Sequence, residues 1–311
     1  MNQKMKSNLL LLLTAFIWGS AFVAQSVGMD YIGPFTFNSV RNFMGGIVLL
    51  PVICMRRKKQ RAKSAVEKIG TETRELKTLI IGGICCGAVL AAASSLQQIG
   101  LIYTGAGKAG FITALYILIV PVIGLFLGKK AGKKIWVCVA LAVFGMYFLC
   151  ITEEFSIANG DIFLLLSAVA FSVHILVIDY FSPKTDGVCL FCIQFFTAGV
   201  LCAVPMILIE QPAAAEIAAA WLPLVYAGVL SSGVGYTLQI VAQKHTNPTV
   251  ASLLMSMESV FSVLTGWAVL EERLSTREGF GCVLVFAAVI LAQLPERGRD
   301  FCEKNGGEKS Q

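Results

Sequence analysis

Charge is scarce in this chain. Asp, Glu, Lys and Arg make up 14% of its 311 residues, whereas 56% are hydrophobic, and the mean hydropathy is +0.75. A water-soluble domain carries about 25% charged residues, so a soluble fold is excluded. Histidine is rarer still, with two copies, which leaves little material for a histidine metal centre or a nucleophile–histidine pair. No Walker-type loop is present. Gly105-Ala106-Gly107-Lys108 lacks the spacing, so direct drive by ATP is not supported. Short alternating segments between turns, the mark of a membrane β-barrel, are also missing. What remains is a set of long, continuous apolar runs, and in lipid each must satisfy its own backbone hydrogen bonds as a helix.

Cysteine is not lacking. The ten copies are scattered, mostly inside apolar stretches. Cys189 and Cys192 form a lone C-x-x-C at the start of an apolar helix, with no second pair and no neighbouring histidine, and read as small packing residues. No metal or cofactor is expected. The net charge of +6 reports orientation and not nucleic-acid binding, because most Lys and Arg fall in short loops.

Ten spans can be read, at roughly 8–28, 35–55, 77–98, 105–127, 134–151, 160–180, 187–209, 219–242, 248–270 and 276–294. The N-terminal apolar run continues to about Val27, too long for a signal-peptide core, and reads as an uncleaved first span. The loop from Arg56 to Leu76 is basic and expected to be partly helical or mobile. The tail 295–311 is expected to be disordered and cytoplasmic. With the N-terminus in the cytoplasm, inside segments hold 21 Lys and Arg and outside segments three, with Arg41 inside a span. That bias predicts both termini in the cytoplasm of a multi-pass cell-membrane protein.

The chain also repeats itself. A shift of 142 residues lays Leu96-Gln97 on Leu238-Gln239 and Tyr116 on Glu258. The first two spans match the sixth and seventh at a shift near 153. Two repeats, 8–151 and 160–294, with five spans each, must be inverted relative to one another, because five is odd. Lys129 and Lys130 after the fourth span and Glu271 and Glu272 after the ninth fit opposite sides. The fold class expected is an all-α membrane protein of ten transmembrane helices, two inverted five-helix repeats around a central cavity.

The ninth span carries the clearest candidate. Glu258 lies about 15 Å from Pro248, near the bilayer midplane. A carboxylate there costs a few kcal/mol unless it is paired, protonated or facing water. In a continuous helix Ser262 and Thr265 share its face, and Met255 extends that face by one turn. The functional reading makes Glu258 a proton carrier; the structural reading pairs it with a neighbouring span. Arg41, with Asn38 and Asn42 on its face, either snorkels and caps carbonyls or holds a substrate carboxylate through its guanidinium fork. His174 is either a satisfied packing residue or a substrate or proton group. Trp18 shares a face with Thr14 and Gln25. Ser232, Tyr236, Gln239 and Gln243 form a polar stripe on the eighth span. Trp18, Tyr116, Tyr236 and Gln239 either glue helices or line a cavity. Gln97, Gln98 and Lys108 are candidates for an outer entrance.

Ala15-Phe16-Ile17-Trp18-Gly19-Ser20-Ala21-Phe22, Asn38-Ser39-Val40-Arg41-Asn42-Phe43 ending at Pro51, Pro121-Val122 with Leu127-Gly128 and Gly145, and Glu258-Ser259-Val260-Phe261 followed by Leu270-Glu271-Glu272-Arg273-Leu274 resemble the EamA-type ten-helix carriers of the drug/metabolite transporter superfamily. The likeness covers about residues 8–294. It implies a central cavity lined by spans one, three, four, six, eight and nine, and transport of small metabolites such as amino acids, often as export. Gly128-Lys129-Lys130 and Ser259 depart from the family pattern, so a subfamily substrate is not inherited.

The function expected is therefore a secondary carrier of small organic metabolites, working by alternating access, with proton coupling as one option. Its partners are the lipid bilayer and a small-molecule substrate, not nucleic acid. An intramembrane enzyme would need a convergent nucleophile or metal set. A non-transporting membrane subunit gives no reason for polar residues at the midplane.

Overall fold

A computed structural model describes residues 3–61, 69–104, 106–128, 132–150, 159–270 and 276–294. All regular structure among them is helical. The first half contains α1 (Gln3–Gly28), α2 (Pro34–Arg61), α3 (Ile69–Tyr103), α4 (Ala106–Ala114), α5 (Tyr116–Phe126) and α6 (Lys133–Cys150). The second contains α7 (Asn159–Phe181), α8 (Gly187–Pro205), α9 (Ala214–Ala219), α10 (Trp221–Val225), α11 (Tyr236–Gln243), α12 (Pro248–Met255), α13 (Glu258–Leu270) and α14 (Thr276–Gln293). Two π-helical segments, Met206–Glu210 and Tyr226–Gly235, continue α8 and join α10 to α11. Eight described stretches are long and apolar enough to cross a membrane. With α6 and α14 they make ten columns, α4–α5 and α12–α13 each counting as one.

The halves are related by a two-fold axis that inverts them. Helix limits map across: α1 ends at Gly28 and α7 at Phe181, a shift of 153, while α4 and α12 start at Ala106 and Pro248, a shift of 142. Packing maps as well. α1 lies against α12 and α13 of the second half, and its counterpart α7 lies against α4 and α5 of the first. α3 packs on α7, and the column α10–α11 packs on α1. α2 pairs with α8, and α6 with α14, each with its own counterpart. Two five-span units exchanged by such an axis run in opposite directions through the membrane. One membrane face holds the α1–α2 link at Gly33, and the other holds Asn8 near the start of α1.

Side chains without bulk let columns approach. A Cβ on Gly19 would lie 2.5 Å from the Glu258 carbonyl oxygen, and one on Gly145 would lie 2.9 Å from that of Gly281. Side chains such as Phe126, Leu208 and Ile209 point outward, as lipid-facing residues do.

Ends are tied by local chemistry. Asp186 accepts from Val188 N–H and Cys189 N–H at the start of α8. Asn247 accepts from Thr249 N–H at the start of α12, with Pro248 in the first helical position, where its missing donor costs nothing. The start of α2 is capped from the other half. Glu210 accepts from Phe35 N–H at 2.8 Å and from Thr36 N–H and Oγ1 at 2.6 Å. Glu210→Ala removes an anion from a helix N-terminus and is expected to cost about 1–2 kcal/mol, read as a lowered unfolding temperature in detergent.

Two expectations need correction. The fourth and ninth spans are not continuous helices: the fourth breaks at Leu115 and the ninth at Ser256–Met257. At each break the turn tightens in the same place, with Leu115 N–H donating to Ile112 O and Met257 N–H to Leu254 O. The eighth span is widened by the π segment. The basic loop is partly helical, as expected, since α2 runs on to Arg61 and α3 begins at Ile69. Residues 62–68, Gly105, Lys129 and Lys130, Glu271 to Leu274 and the tail 295–311 lie outside the described residues.

Candidate functional site

The two breaks meet the same point of the bundle. Tyr116 opens α5 and Glu258 opens α13, each directly after its break. A broken span leaves its following half-helix starting near the midplane, with unsatisfied N–H groups nearby. Both side chains line a cavity with about 400 Å³ of atom-free space. Tyr116 Oη and Glu258 Oε1 are buried, the two side chains neighbour one another, and neither atom makes a well-formed hydrogen bond within the protein.

Around them, α1 contributes Trp18, Phe22 and Gln25, and α2 contributes Arg41. α3 and α4 contribute Gln97 and Thr113, joined at 3.3 Å from Gln97 Nε2 to Thr113 Oγ1. Phe171 of α7, Ser231 of the π segment and Tyr236 of α11 complete the lining. Trp18 packs against Tyr236, with centroids 4.7 Å apart and the rings tilted by 54°, and donates its indole N–H to Ser231 O at 3.3 Å. All the spans named for the expected cavity contribute, and α2 joins them through Arg41.

Arg41 is held in place from one side. Its Nη1 donates to Gln25 Oε1 at 2.8 Å, its guanidinium sits 5.8 Å from the Phe37 ring centroid, and its Nε has no partner. Among the described residues no carboxylate pairs with it. A buried guanidinium with a free donor at a cavity wall has the geometry to bind a planar anion. The site thus offers one cation and one acid in a wall that also carries five aromatic residues, Trp18, Phe22, Tyr116, Phe171 and Tyr236. A zwitterion or a carboxylate on an apolar frame suits that arrangement. The centre of a water molecule has about 40 Å³ to move in, so the space is narrow. By residue count, Gln25, Arg41, Gln97 and Thr113 place the lining between the midplane and the Gly33 face.

Two matches in the family model decide the family. Residues 5–151 and 158–294 each fit the EamA-like transporter family. The chain belongs to the EamA-like transporter family. It is thus a multi-pass membrane transporter of the drug/metabolite transporter superfamily. An uncharacterized transporter of Archaeoglobus fulgidus is 30% identical over 293 residues, covering 94% of this chain and 87% of that protein. The uncharacterized transporter YoaV of Bacillus subtilis is 22% identical over 282 residues, covering 88% and 92%. One crystal structure aligns with a TM-score of 0.74 over 92% of this chain and 96% of that one, at 17% identity, a likeness of fold.

Within this family fold the expected site residues do not all converge. Glu258, Arg41, Trp18, Tyr116 and Tyr236 line the cavity. Ser262 instead packs on α4, its Oγ 3.4 Å from Ala106 O, because the break at Ser256–Met257 sets the direction of α13 afresh. Thr265 bonds back to Phe261 O and Ser262 O in its own helix. His174 is buried beside Gln194, with Nε2 3.0 Å from Gln194 Oε1. Gln239 is buried outside the cavity wall. Lys108 forms a 2.7 Å ion pair with Asp161 across the halves at the Gly33 face.

Phe22, Thr113 and Ser231 were not anticipated. Thr113 stands one turn before Tyr116, a spacing that was available to find it. Ser231 takes the place expected of Ser232 because a π turn shifts the register by one residue. Ser232 faces Gly45 instead.

Proposed function

We propose that the chain is a secondary carrier of small organic metabolites, amino acids or related compounds, that works by alternating access in the cell membrane. The single observation behind this reading is the cavity at the junction of two inverted halves, with Arg41 and Glu258 in its wall. Arg41 holds the substrate carboxylate; Trp18, Tyr236 and Phe171 flank its body. Glu258 takes up and releases a proton during the cycle, coupling substrate movement to the proton gradient. The Lys and Arg bias sets both termini in the cytoplasm, so the Gly33 face is the outer one, and net export is the direction that fits the family.

The test is uptake and efflux in proteoliposomes across amino acids and related metabolites, with and without a proton gradient. Saturable flux of a carboxylate-bearing compound, raised by the gradient, is expected. Flux restricted to compounds without a carboxylate removes Arg41 from the substrate role. Flux indifferent to the gradient removes the coupling role of Glu258.

A further inference from the structure

The cavity leaves a set of buried polar groups unexplained. Gln194 Nε2, Gln239 Oε1 and both amide atoms of Gln243 have no hydrogen-bond partner, although these residues are 0%, 1% and 3% exposed. A buried amide group without a partner is costly. None of these side chains lines the cavity.

The repeat accounts for the positions of Gln194 and Gln239. The shift of 153 carries Trp18 to Phe171 and Arg41 to Gln194; the shift of 142 carries Gln97 to Gln239 and Tyr116 to Glu258. Trp18, Arg41, Gln97 and Tyr116 all line the cavity. Of their four counterparts, Phe171 and Glu258 reach it and Gln194 and Gln239 do not. The boundary between reached and unreached positions is Tyr236. Its ring lies in the cavity wall, 4.7 Å from Trp18 on one side and 6.0 Å from His174 on the other. Gln239 and Gln243 follow it along α11 toward the Asn8 face, at i+3 and i+7.

We propose that His174, Gln194 and Gln239 form a second half-site, shut in this structure beneath Tyr236, which becomes the cavity lining when the carrier opens to the Asn8 face. The proposal rests on the alternating-access reading given above. Inverted halves interchange roles when one state passes to the other, so Gln194 and Gln239, the polar counterparts of Arg41 and Gln97, are the positions expected to line the cavity then. The wetted state supplies the partners that Gln194, Gln239 and Gln243 lack. Because Gln194 stands where the first half has Arg41, the two half-sites are unequal. A substrate carboxylate meets a fixed cation from the Gly33 face, and an amide with an imidazole from the Asn8 face. His174 has Ala21 as its counterpart in the first half and joins the second half-site through its contacts with Gln194 and Tyr236.

Labelling tests this without knowing the substrate. A full-length Gln97→Cys/Gln239→Cys chain is treated with a membrane-impermeant thiol reagent from one face at a time, in cells and in inverted vesicles. Peptide-resolved mass spectrometry reads each site separately, so the native cysteines stay. The expected result is that residue 97 labels from the Gly33 face and residue 239 from the Asn8 face. A bulky adduct placed first at 97, which wedges the cavity open to its side, is expected to slow labelling at 239 at least fivefold. Gln194→Cys in place of Gln239→Cys supplies a second reporter if the first chain does not fold. Labelling at 97 with none at 239 or 194, labelling of these from the Gly33 face, or a rate at 239 unchanged by the wedge would each overturn the half-site while leaving the cavity intact. No labelling at any of the three from either face would overturn both.

Discussion

With glutamine at position 258, transport is expected to fall at least tenfold in proteoliposomes, and its dependence on pH to flatten. Glutamine keeps the shape of the side chain and removes its capacity to bind and release a proton. Glu258 begins α13 after a break, lines the cavity and has a buried Oε1 without a well-formed hydrogen bond in the protein, so no ion pair is broken by Glu258→Gln. Folding should therefore survive, with an unfolding temperature within a few degrees of the parent. A tenfold loss corresponds to about 1.4 kcal/mol of barrier, well within what one charge at a low-dielectric site contributes. A rate and a pH profile both unchanged would take Glu258 out of the mechanism.

The second large effect concerns packing. Gly19→Leu is expected to abolish folded protein or lower its unfolding temperature by many degrees. A Cβ at this position would stand 2.5 Å from both Glu258 O and Phe261 Cβ, and 2.9 Å from Ser262 N. Two of these atoms are backbone, so α1 and α13 must separate, at a cost of roughly 1–3 kcal/mol or more for overpacking. Gly279→Leu is the control. Nothing lies within 4 Å of a Cβ there, and a change within about 0.5 kcal/mol is expected. Equal tolerance at the two positions would mean that the α1–α13 contact is looser than the structure shows.

The architecture was legible because its signals are additive over many residues. Long apolar runs can only be helices in lipid, and a five-span unit that repeats must invert. Helix limits in the two halves then coincide, as the starts of α4 and α12 do. The shift of 142 also carried Tyr116 onto Glu258, the pair that the two breaks bring to the cavity. Site detail was less legible wherever the backbone departs from a regular helix. Helical spacing put Ser262 on the face of Glu258 and Ser232 on that of Tyr236. A break in one span and a π segment in the other redirected both. His174 and Gln239 sit on the expected columns yet outside the cavity, a placement that helical spacing alone does not decide. Arg41 was visible as a charge within a span, but its tie to Gln25 needed the fold, since the two lie on different helices.

Counterflow in liposomes tests the central claim most directly. Vesicles are loaded with a high concentration of unlabelled substrate and diluted into a trace of labelled substrate, with no ion gradient imposed. A carrier that exposes one cavity to the two faces in turn concentrates the label inside transiently, and Glu258→Gln or Arg41→Ala should reduce that overshoot. Label that only equilibrates, as through a channel, or that is chemically converted without crossing, would contradict the account.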